Sequence, residues 1–327
     1  MQNADAKLHN STMFDWNDLR HFLAVARHGS TLAAAKTLRV SQSTVHRRLE
    51  ELERRIGRKL VKRHPTGYRL TEFGEEMLAH AERVEDSVAA FERHTAASVR
   101  ELKGSIRVTC PEGLGSSLVR STLLDKFSAR FPELRVELVM TIKILDLGKG
   151  QADIAIRAAA PADESLVGRK IGDSLWAVYA SRAYVKRHGG ADRIADIDRH
   201  AIVQFDGDMA DSRAAKWLQS VAPRARVAAR SNSLSALVLA VKSGAGLAVV
   251  PVIVGENERD LVRVLGPIDD LTTPYYLLMH QDMRRTPRVR AFFDFVVDEL
   301  GEFQKLLMRD LAVATYPNRI DQNLKAK

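Results

Sequence analysis

The N-terminal part of the chain has a pattern of apolar positions that predicts consecutive short helices. Asp15 is suited to cap a first helix, because the residues after it place an apolar stripe on one helical face: Leu19, Phe22, Leu23 and Ala26. Gly29 ends that helix, and Ser30 caps a second one whose alanines at 33–35 are small enough to let another helix pack closely. The second helix stops before Arg39, so only a very short turn separates it from the next element.

A third helix is predicted directly after its cap, Ser41, and its two faces differ in polarity. Its apolar stripe has steps of four, three and four residues and consists of Val45, Leu49, Leu52 and Ile56. The opposite face is polar, with Gln42, Ser43, His46, Arg47 and Glu50. Two helices joined by so short a turn form a helix-turn-helix, which places the first residues of its second helix in the major groove of DNA. Gln and Arg at these positions can bind bases or phosphates.

A two-stranded wing is predicted to follow the third helix. The runs "KLVKR" and "YRLT" contain apolar residues and flank "HPTG", a turn sequence with proline and glycine. Basic side chains and a histidine on this wing would come near the DNA backbone: Lys62, Arg63, His64 and Arg69.

The distribution of charge favours nucleic acid as the partner of this segment. Residues 17–70 contain 13 Lys and Arg against 4 Asp and Glu, whereas the rest of the chain holds 37 residues of each sign. The whole net charge of +9 therefore lies in one short segment, as expected of a module that binds phosphates and releases their counterions. The charge alone leaves an alternative open, namely a solvated basic face without a nucleic-acid partner.

The sequence of this segment resembles a known family. The run "FLAVARHGSTLAAAKTLRVSQSTVHRRLEELERRIGRKLVKR" followed by "RLTEFG" is similar to the N-terminal winged helix-turn-helix of LysR-type transcriptional regulators, and the similarity covers most of residues 16–100. The family usually has proline at position 43 and serine at position 46, where this chain has Ser43 and His46. The resemblance implies that the residues contacting double-stranded DNA are Ser30, Thr31, Ser41, Gln42, Ser43, Thr44, His46, Arg47, Arg48, Arg63, His64, Thr66 and Arg69.

A long helix is predicted after the wing, with Thr71 as its cap. Apolar residues recur along it at alternating steps of four and three residues, in the manner of a coiled-coil seam: Met77, Ala81, Val84, Val88 and Phe91. A helix with such a stripe could instead pack on its own domain. The family resemblance implies a linker helix that pairs two subunits, in an assembly that is a dimer or a tetramer.

From Gly104 onwards, predicted strands alternate with predicted helices. The strands are "SIRVTC", "RVELVM", "ADIAIRA", "LWAVYAS", "AIVQF", "RVAARSN" and "LAVVP", and the helices are "LGSSLVRSTLLDKFSARFP" and "LSALVLAVKSG". This order predicts a parallel sheet with helices on its faces.

The same segments resemble the two-lobed effector-binding region of the LysR-type regulators, which is similar to periplasmic solute-binding proteins. The resemblance rests on "FPELRVEL", "DIAIR", "ASRAYVKRHG", "VKSGAGLAVVP" and "PRVRAFFDFV". It implies an α+β multi-domain chain with a winged helix-turn-helix at 1–70, a linker and dimerisation helix at 71–103 and a two-lobed α/β effector domain at 104–300. The remaining residues, 301–327, are predicted to form a partly helical tail. Lobe one would comprise 104–173 and 272–300, and lobe two 174–271.

A small-molecule effector is expected between the lobes, where strands end and helices begin, because free backbone N–H groups there favour anions. The stretch "TCPEG" at 109–113 is such a junction. The resemblance places around this cleft Thr109, Cys110, Pro111, Thr141, Phe205, Asn232 and Gly246, with Arg157 as a partner for an organic anion. Structural roles compete at three positions, since Thr141 could merely end a strand, Phe205 could belong to the core and Arg157 could form a salt bridge.

Enzymatic functions lack their sequence signatures. Cys110 is the only cysteine, which excludes an intrachain disulfide and a multi-cysteine zinc site, and no local signature pairs it with a histidine as a nucleophile. "GLG" at 113–115 and "GAG" at 244–246 lack the third glycine of a dinucleotide fingerprint, and no Walker lysine motif occurs. The histidines at 188, 200 and 280 are too dispersed to suggest a metal site. No catalytic activity, cofactor or metal is expected.

The sequence thus predicts a ligand-responsive transcriptional regulator that binds specific DNA sequences. A cytoplasmic protein without a membrane partner is expected, because the N-terminus lacks a secretory pattern and the longest apolar run, "LAVVPVIV", is too short to span a bilayer. By resemblance, closure of the lobes on a small molecule changes DNA bending and hence contact with RNA polymerase. The alternatives are a free-standing solute-binding protein, which would have a secretion signal and no basic winged domain, and an enzyme built on the α/β lobes.

Overall fold

The structure, a computed structural model, describes residues 15–98, 102–158, 160–161 and 163–307. The chain divides into two units, Met1–Glu92 and Arg93–Lys327. Among the described residues, no helix has both the length and the apolarity that a membrane span requires.

The first unit is a three-helix domain with a β-hairpin wing, as the apolar pattern predicts. Its elements are α1 Trp16–His28, α2 Thr31–Leu38, α3 Gln42–Ile56, β1 Val61–His64, β2 Gly67–Leu70 and the first part of α4 Glu72–Ser98. The predicted caps are confirmed, because side-chain oxygens of Asp15, Ser30 and Ser41 each accept a hydrogen bond from the backbone N–H three residues later. The core is formed by one face of each helix, including Phe22, Leu23, Ala34, Val45, Leu49 and Leu52.

Two contacts hold the wing against the helices. Glu53 is buried in α3, and its Oε1 accepts hydrogen bonds from the N–H groups of Leu60, at 2.9 Å, and Val61, at 3.1 Å. At the tip, the Tyr68 N–H donates to the Gly29 carbonyl at 2.7 Å. A Cβ atom on Gly67 would lie 2.2 Å from that carbonyl oxygen, so only glycine fits where the wing approaches the end of α1.

Thr71 caps the linker helix α4, which begins at Glu72, because the Thr71 hydroxyl accepts a hydrogen bond from the Gly74 N–H at 2.9 Å, as predicted. Its apolar stripe is divided between two environments. Met77 and Ala81 pack into the core of the first unit, as the alternative of a helix packed on its own domain requires. Val84 and Phe91 are instead 40% and 73% exposed, so the second half of the stripe lies outside that core.

The second unit contains two α/β lobes. Lobe one is built from β3 Gly104–Cys110, α5 Glu112–Arg120, α6 Leu123–Arg130, β4 Leu134–Met140, β5 Ile154–Arg157, β6 Leu166–Ser174, β12 Thr273–His280, α11 Pro287–Asp298 and α12 Leu300–Leu307. Its five strands lie in the order β4-β3-β5-β12-β6. Aromatic rings fill the space between sheet and helices, with Phe127 centred 5.2 Å from both Phe292 and Phe295.

The sheet of lobe one is mixed, whereas a parallel sheet was predicted. Strands β3, β4 and β5 are parallel, but β12 runs antiparallel to both β5 and β6. The chain leaves lobe one at the end of β6 and returns at the start of β12, where Thr273 pairs with Ser174. Two strands that cross the same hinge in opposite senses must be antiparallel.

Two further predictions for lobe one differ from the structure. The single helix predicted over 114–132 is two helices, α5 and α6, because Ser121 has extended backbone geometry and its hydroxyl bonds the Leu118 carbonyl at 2.7 Å. The predicted tail begins inside α12, whose Phe303, Leu306 and Leu307 are buried in the core of lobe one. The rest of that predicted tail, residues 308–327, lies outside the described residues.

Lobe two is formed by residues between the two crossing strands. Its regular elements are β7 Trp176–Ser181, α7 Arg182–His188, β8 Ile202–Phe205, α8 Arg213–Val221, β9 Val227–Ser231, α9 Leu234–Lys242, β10 Ala248–Pro251, α10 Val252–Gly255 and β11 Leu261–Leu265. Antiparallel strands in the order β10-β7-β11 form one sheet, and the parallel pair β8-β9 joins it through a bridge between Ile202 and Leu247. Apolar clusters cover both faces of the sheet.

Candidate DNA-binding surface and ligand cleft

The polar face of α3 and the wing expose a group of basic and hydrogen-bonding side chains. Val45, Leu49 and Leu52 anchor α3 in the core, so the residues between them point outward. We call the exposed set the candidate DNA surface, and it consists of Gln42, Ser43, His46, Arg47, Lys62, Arg63 and Arg69.

Arg47 differs from the other arginines at this end of α3 in its contacts. No described residue lies within hydrogen-bonding or ion-pair distance of the Arg47 side chain. Arg48, in contrast, contacts the carboxylates of Asp15 at 3.3 Å and of the fully buried Asp18 at 3.1 Å. Arg47 is therefore available to a partner, while Arg48 is held against α1.

The first turn of α3 is held in place by hydroxyl groups. The Ser41 Oγ lies 2.8 Å from the Ser43 Oγ and 2.7 Å from the Thr44 Oγ1. Gln42 donates from Nε2 to the buried Thr31 Oγ1 at 3.0 Å, which joins α3 to α2. Ser30, Thr31, Ser41 and Thr44 thus cap or connect helices, and Gln42 combines such a contact with an exposed position.

The wing places like charges opposite each other. Lys62 pairs with Arg69 across the hairpin, and neither side chain has an acidic partner among the described residues. Like charges directly opposite on neighbouring strands repel each other, and an anion bound between them would relieve the repulsion. At the turn, His64 Nδ1 lies 2.9 Å from the Thr66 Oγ1, which orders the tip beside Arg63.

A cavity of about 690 Å³ lies between the two lobes of the second unit. We call it the ligand cleft, and its size suits a small organic molecule. Most of its wall is apolar and includes Leu114, Ile142, Ile144, Leu145, Leu147, Trp176, Met209, Leu234, Leu271, Tyr275 and Leu278. Its charged residues are Glu112, Asp146, Arg157, Asp163 and Arg213.

Arg157 is a fixed cation in the wall of the ligand cleft. Its guanidinium donates to the Thr109 hydroxyl at 2.8 Å and to the carbonyls of Thr141 at 3.0 Å and Lys143 at 2.9 Å. Within the described ranges no carboxylate lies within ion-pair distance, so the positive charge is held by neutral groups alone. Burial lowers the pKa of Arg157 from its usual value, although arginine stays charged at neutral pH.

A second anion-binding position in the cleft is occupied by the chain itself. The N-terminus of α9 offers free N–H groups of the kind that bind anions. The Glu112 carboxylate of lobe one accepts from the Leu234 N–H at 3.2 Å and from the Ser235 hydroxyl at 2.5 Å, so it fills this position and ties the lobes together.

The sequence-predicted cleft residues are distributed between the wall and the core. Pro111 and Arg157 line the cleft. Thr109 and Cys110 are fully buried at the end of β3, where Thr109 supports Arg157 and burial raises the pKa of the Cys110 thiol to about 11. Thr141 has the structural role of ending a strand. It follows β4, and its carbonyl accepts a hydrogen bond from Arg157.

The remaining three predicted residues are not among those that line the cleft. Phe205 is buried in lobe two with its ring 6.5 Å from that of Trp176, so it belongs to the core. Asn232 is exposed. A Cβ atom on Gly246 would lie 2.3 Å from the Ala201 carbonyl oxygen, which shows that this glycine permits close backbone packing.

Most residues of the apolar wall were not predicted from the sequence. Trp176, Met209, Leu271 and Leu278 have the same residue types as the core, and no sequence pattern separates the two groups. One signal was available in "TIKILDLGKG", where Ile142 and Ile144 are apolar but lie outside any strand or helix, and both are exposed at the cleft. No group of three or more His, Cys, Asp or Glu side chains suited to a metal ion occurs in the described part of the chain.

Comparison with known families agrees with this geometry. Residues 16–75 match the bacterial regulatory helix-turn-helix protein model of the lysR family, and residues 100–301 match the LysR substrate binding domain. The chain belongs to the LysR family of transcriptional regulators. It is a ligand-responsive DNA-binding regulator of the LysR type, with an N-terminal helix-turn-helix domain and a two-lobed α/β effector domain.

Individual LysR-type proteins are similar over most of their length. The HTH-type transcriptional regulator CrgA of Neisseria meningitidis serogroup C is 28% identical over 295 residues, which is 87% of this chain and 96% of CrgA. The activator AaeR of Escherichia coli K12 is 26% identical, and the similarity covers 87% of this chain and 94% of AaeR. The solved structure of CrgA superposes with a TM-score of 0.53 at 27% identity, covering 87% of this chain and 98% of that one. Full-length AphB of Vibrio cholerae, with a TM-score of 0.60 at 23% identity over 87% of this chain and 99% of AphB, shares the fold.

Proposed function

We propose that the candidate DNA surface binds double-stranded DNA, with α3 in the major groove and the wing on the backbone. In this arrangement Arg47 reads a base edge, whereas Lys62, Arg63 and Arg69 bind phosphates. The absence of any acidic partner for these four side chains in the described ranges supports this division. CbnR, a LysR family regulator of the same fold, was solved in complex with its target DNA.

We propose further that the effector is an organic anion with an apolar body. The single observation that carries this proposal is Arg157, a cation without a carboxylate partner in the described ranges, set in a mainly apolar wall. Such a site favours a ligand with one acidic group that contacts the guanidinium, while the rest of its atoms cover the apolar surface. Because Glu112 already fills the N-terminus of α9, the ligand's acidic group is directed to Arg157.

The second half of the α4 stripe is our proposed pairing surface between subunits. Val84, Val88 and Phe91 line a shallow surface together with polar neighbours, and they are exposed or partly exposed. Pairing through them would give a dimer, or a tetramer if a second surface is used. We also infer that the protein acts in the cytoplasm without catalytic activity or a membrane partner, and that its DNA contacts influence RNA polymerase.

The proposed function can be tested by selecting fragments of the source genome with the purified full-length protein. We expect enrichment of a small set of sites, with an affinity that falls steeply as salt rises, because the net charge is concentrated in the first unit. Uniform recovery of all fragments would refute sequence-specific binding. Binding that does not change between low and high salt would refute the phosphate contacts.

A further inference from the structure

Arg93 of α4 makes two contacts with the effector-binding unit to which it belongs. Its side chain is only 12% exposed, and its Nε donates to the Asp282 carboxylate at 3.1 Å. Its Nη1 donates to the carbonyl of Gly148. One planar guanidinium therefore joins two segments that are far apart in sequence.

The contact with Gly148 joins Arg93 to a segment that lines the ligand cleft. Leu145, Asp146 and Leu147 line the cleft and immediately precede Gly148. This segment is a closed turn, because the Asp146 N–H donates to the Gln151 side chain at 2.9 Å and the Lys149 N–H donates to the Asp146 carboxylate at 3.0 Å. A turn braced in this way moves as one piece, so a displacement of Leu147 also moves the Gly148 carbonyl.

The contact with Asp282 joins Arg93 to a second element that lines the same cleft. Asp282 follows β12, whose Tyr275 and Leu278 line the cleft. Its carboxylate lies 3.3 Å from Nδ1 of His280, the last residue of that strand, and its N–H donates to the same nitrogen at 3.2 Å. The position of the carboxylate is therefore set by the end of β12.

We propose that Arg93 is a positioning residue that couples occupancy of the ligand cleft to the linker helix. A ligand that shifts the 145–147 segment or β12 changes the two acceptors that hold Arg93, and Arg93 lies on the helix that continues into the DNA-binding unit. Coupling of this kind requires the two states of the protein to differ in their contacts with Arg93. The inference rests on the proposed function.

Thermodynamic reciprocity allows a test that needs no knowledge of the effector. If the cleft alters DNA binding through Arg93, then DNA binding must alter the cleft by the same coupling free energy. The experiment is hydrogen–deuterium exchange of the full-length protein with and without an operator duplex obtained by genomic selection. In the wild type we expect DNA to change the exchange of amides in 145–151 and 278–282.

The decisive variant is Arg93→Gln, with Arg83→Gln as its matched control. Arg83 lies on the same helix, and its guanidinium contacts only His80 of that helix among the described residues. We expect Arg93→Gln to abolish the DNA-dependent change in both segments while operator affinity stays within about threefold of wild type. Arg83→Gln should preserve the change.

Each contrary result has its own meaning. If wild-type protein binds the operator but neither segment responds, or if the response survives in Arg93→Gln, the coupling role of Arg93 is refuted. If Arg93→Gln lowers the melting temperature, Arg93→Lys serves instead, because a lysine cannot reproduce the planar two-acceptor contact and should also lose the response. Failure of the wild type to select any operator would refute the proposed function rather than this inference.

Discussion

The candidate DNA surface and the ligand cleft differ in how their residues are distributed along the chain. All residues of the DNA surface lie between Gln42 and Arg69, on one helix and one hairpin. The residues that line the cleft are spread along the sequence from Pro111 to Leu278, and they lie in both lobes and in the strands that join them. A site carried by one amphipathic helix can be recognised from local periodicity, whereas a site between lobes is formed only when distant segments meet.

The two regions also differ in how charge is held. The DNA surface exposes several cations to solvent, which suits a polyanion whose contacts are screened by salt. In the ligand cleft, the Arg157 guanidinium is held by neutral acceptors next to a mainly apolar wall, so its charge acts in a less polar environment. Many weak contacts are therefore expected at the DNA surface, and one strong contact is expected in the cleft.

Glu53→Ala should produce the largest effect, because it removes the support on which the DNA surface depends. The substitution leaves the N–H groups of Leu60 and Val61 buried without an acceptor, at about 1–3 kcal/mol each. We expect thermal denaturation to show a clear loss of stability in the first unit. Glu50→Ala is the control on the same helix, since Glu50 is exposed and, among the described residues, its carboxylate forms an ion pair with His46 alone. Equal effects of the two substitutions would contradict the role assigned to Glu53.

Arg157→Gln should weaken effector binding by about 2–3 kcal/mol, the typical loss of a charge-assisted contact. The measurement is titration calorimetry with whichever monocarboxylate stabilises the wild type in a thermal-shift screen of aromatic and aliphatic acids. Arg213→Gln is the comparison, because Arg213 also lines the cleft but lies in lobe two, where its side chain donates to the Asp270 carbonyl. If Arg213→Gln causes the larger loss, the anion position lies on the other wall.

Arg47→Ala should weaken operator binding by about 1–3 kcal/mol and relax the preference at one base pair. Arg54→Ala provides a control in the second half of α3, where Arg54 forms an exposed ion pair with Glu51. Binding of both variants to selected and scrambled duplexes separates base reading from charge. Equal losses on both duplexes would mean that Arg47 binds phosphate.

The Cys110 thiol should show the smallest response, because it is expected to be inert. Burial raises its pKa to about 11, so the reactive thiolate is scarce at pH 8 and becomes common only as the pH rises past that value. We expect iodoacetamide to alkylate Cys110 slowly in the folded protein and rapidly after denaturation in urea. Rapid alkylation of the native protein at pH 8 would place the thiol at the wall of the cleft.

Local sequence signals predicted the first unit almost completely. The caps at Asp15, Ser30 and Ser41 and the buried stripe from Val45 to Leu52 are present in the structure, because each depends on residues only a few positions apart. Prediction was weaker where a side chain has a distant partner. Arg48 belongs to the same polar stretch as Arg47, but its contact with Asp18 of α1 gives it a structural role.

The second unit was predicted in part. Most strands were found from their apolar runs, but β6, β11 and β12 were not among the predicted strands, and the return of β12 into lobe one makes the sheet mixed. Of the effector residues, Arg157 and Pro111 line the cleft, whereas Phe205 lies in the core. An apolar side chain looks the same in sequence whether it faces a cavity or another side chain.

The helix-turn-helix, the wing, the basic charge of the first unit and the α/β class of the second unit could be predicted from the residue order, because helix periodicity, capping residues and charge are properties of neighbouring positions. The packing of distant segments was needed to show which residues form the cleft wall, that Arg157 has no carboxylate within ion-pair distance in the described ranges, and where Arg93 is anchored. These features depend on contacts such as that of Arg93 with Asp282, which join segments separated by most of the effector domain. Such contacts are set by how the sheets and helices pack, and packing leaves no periodic signal in the order of the residues.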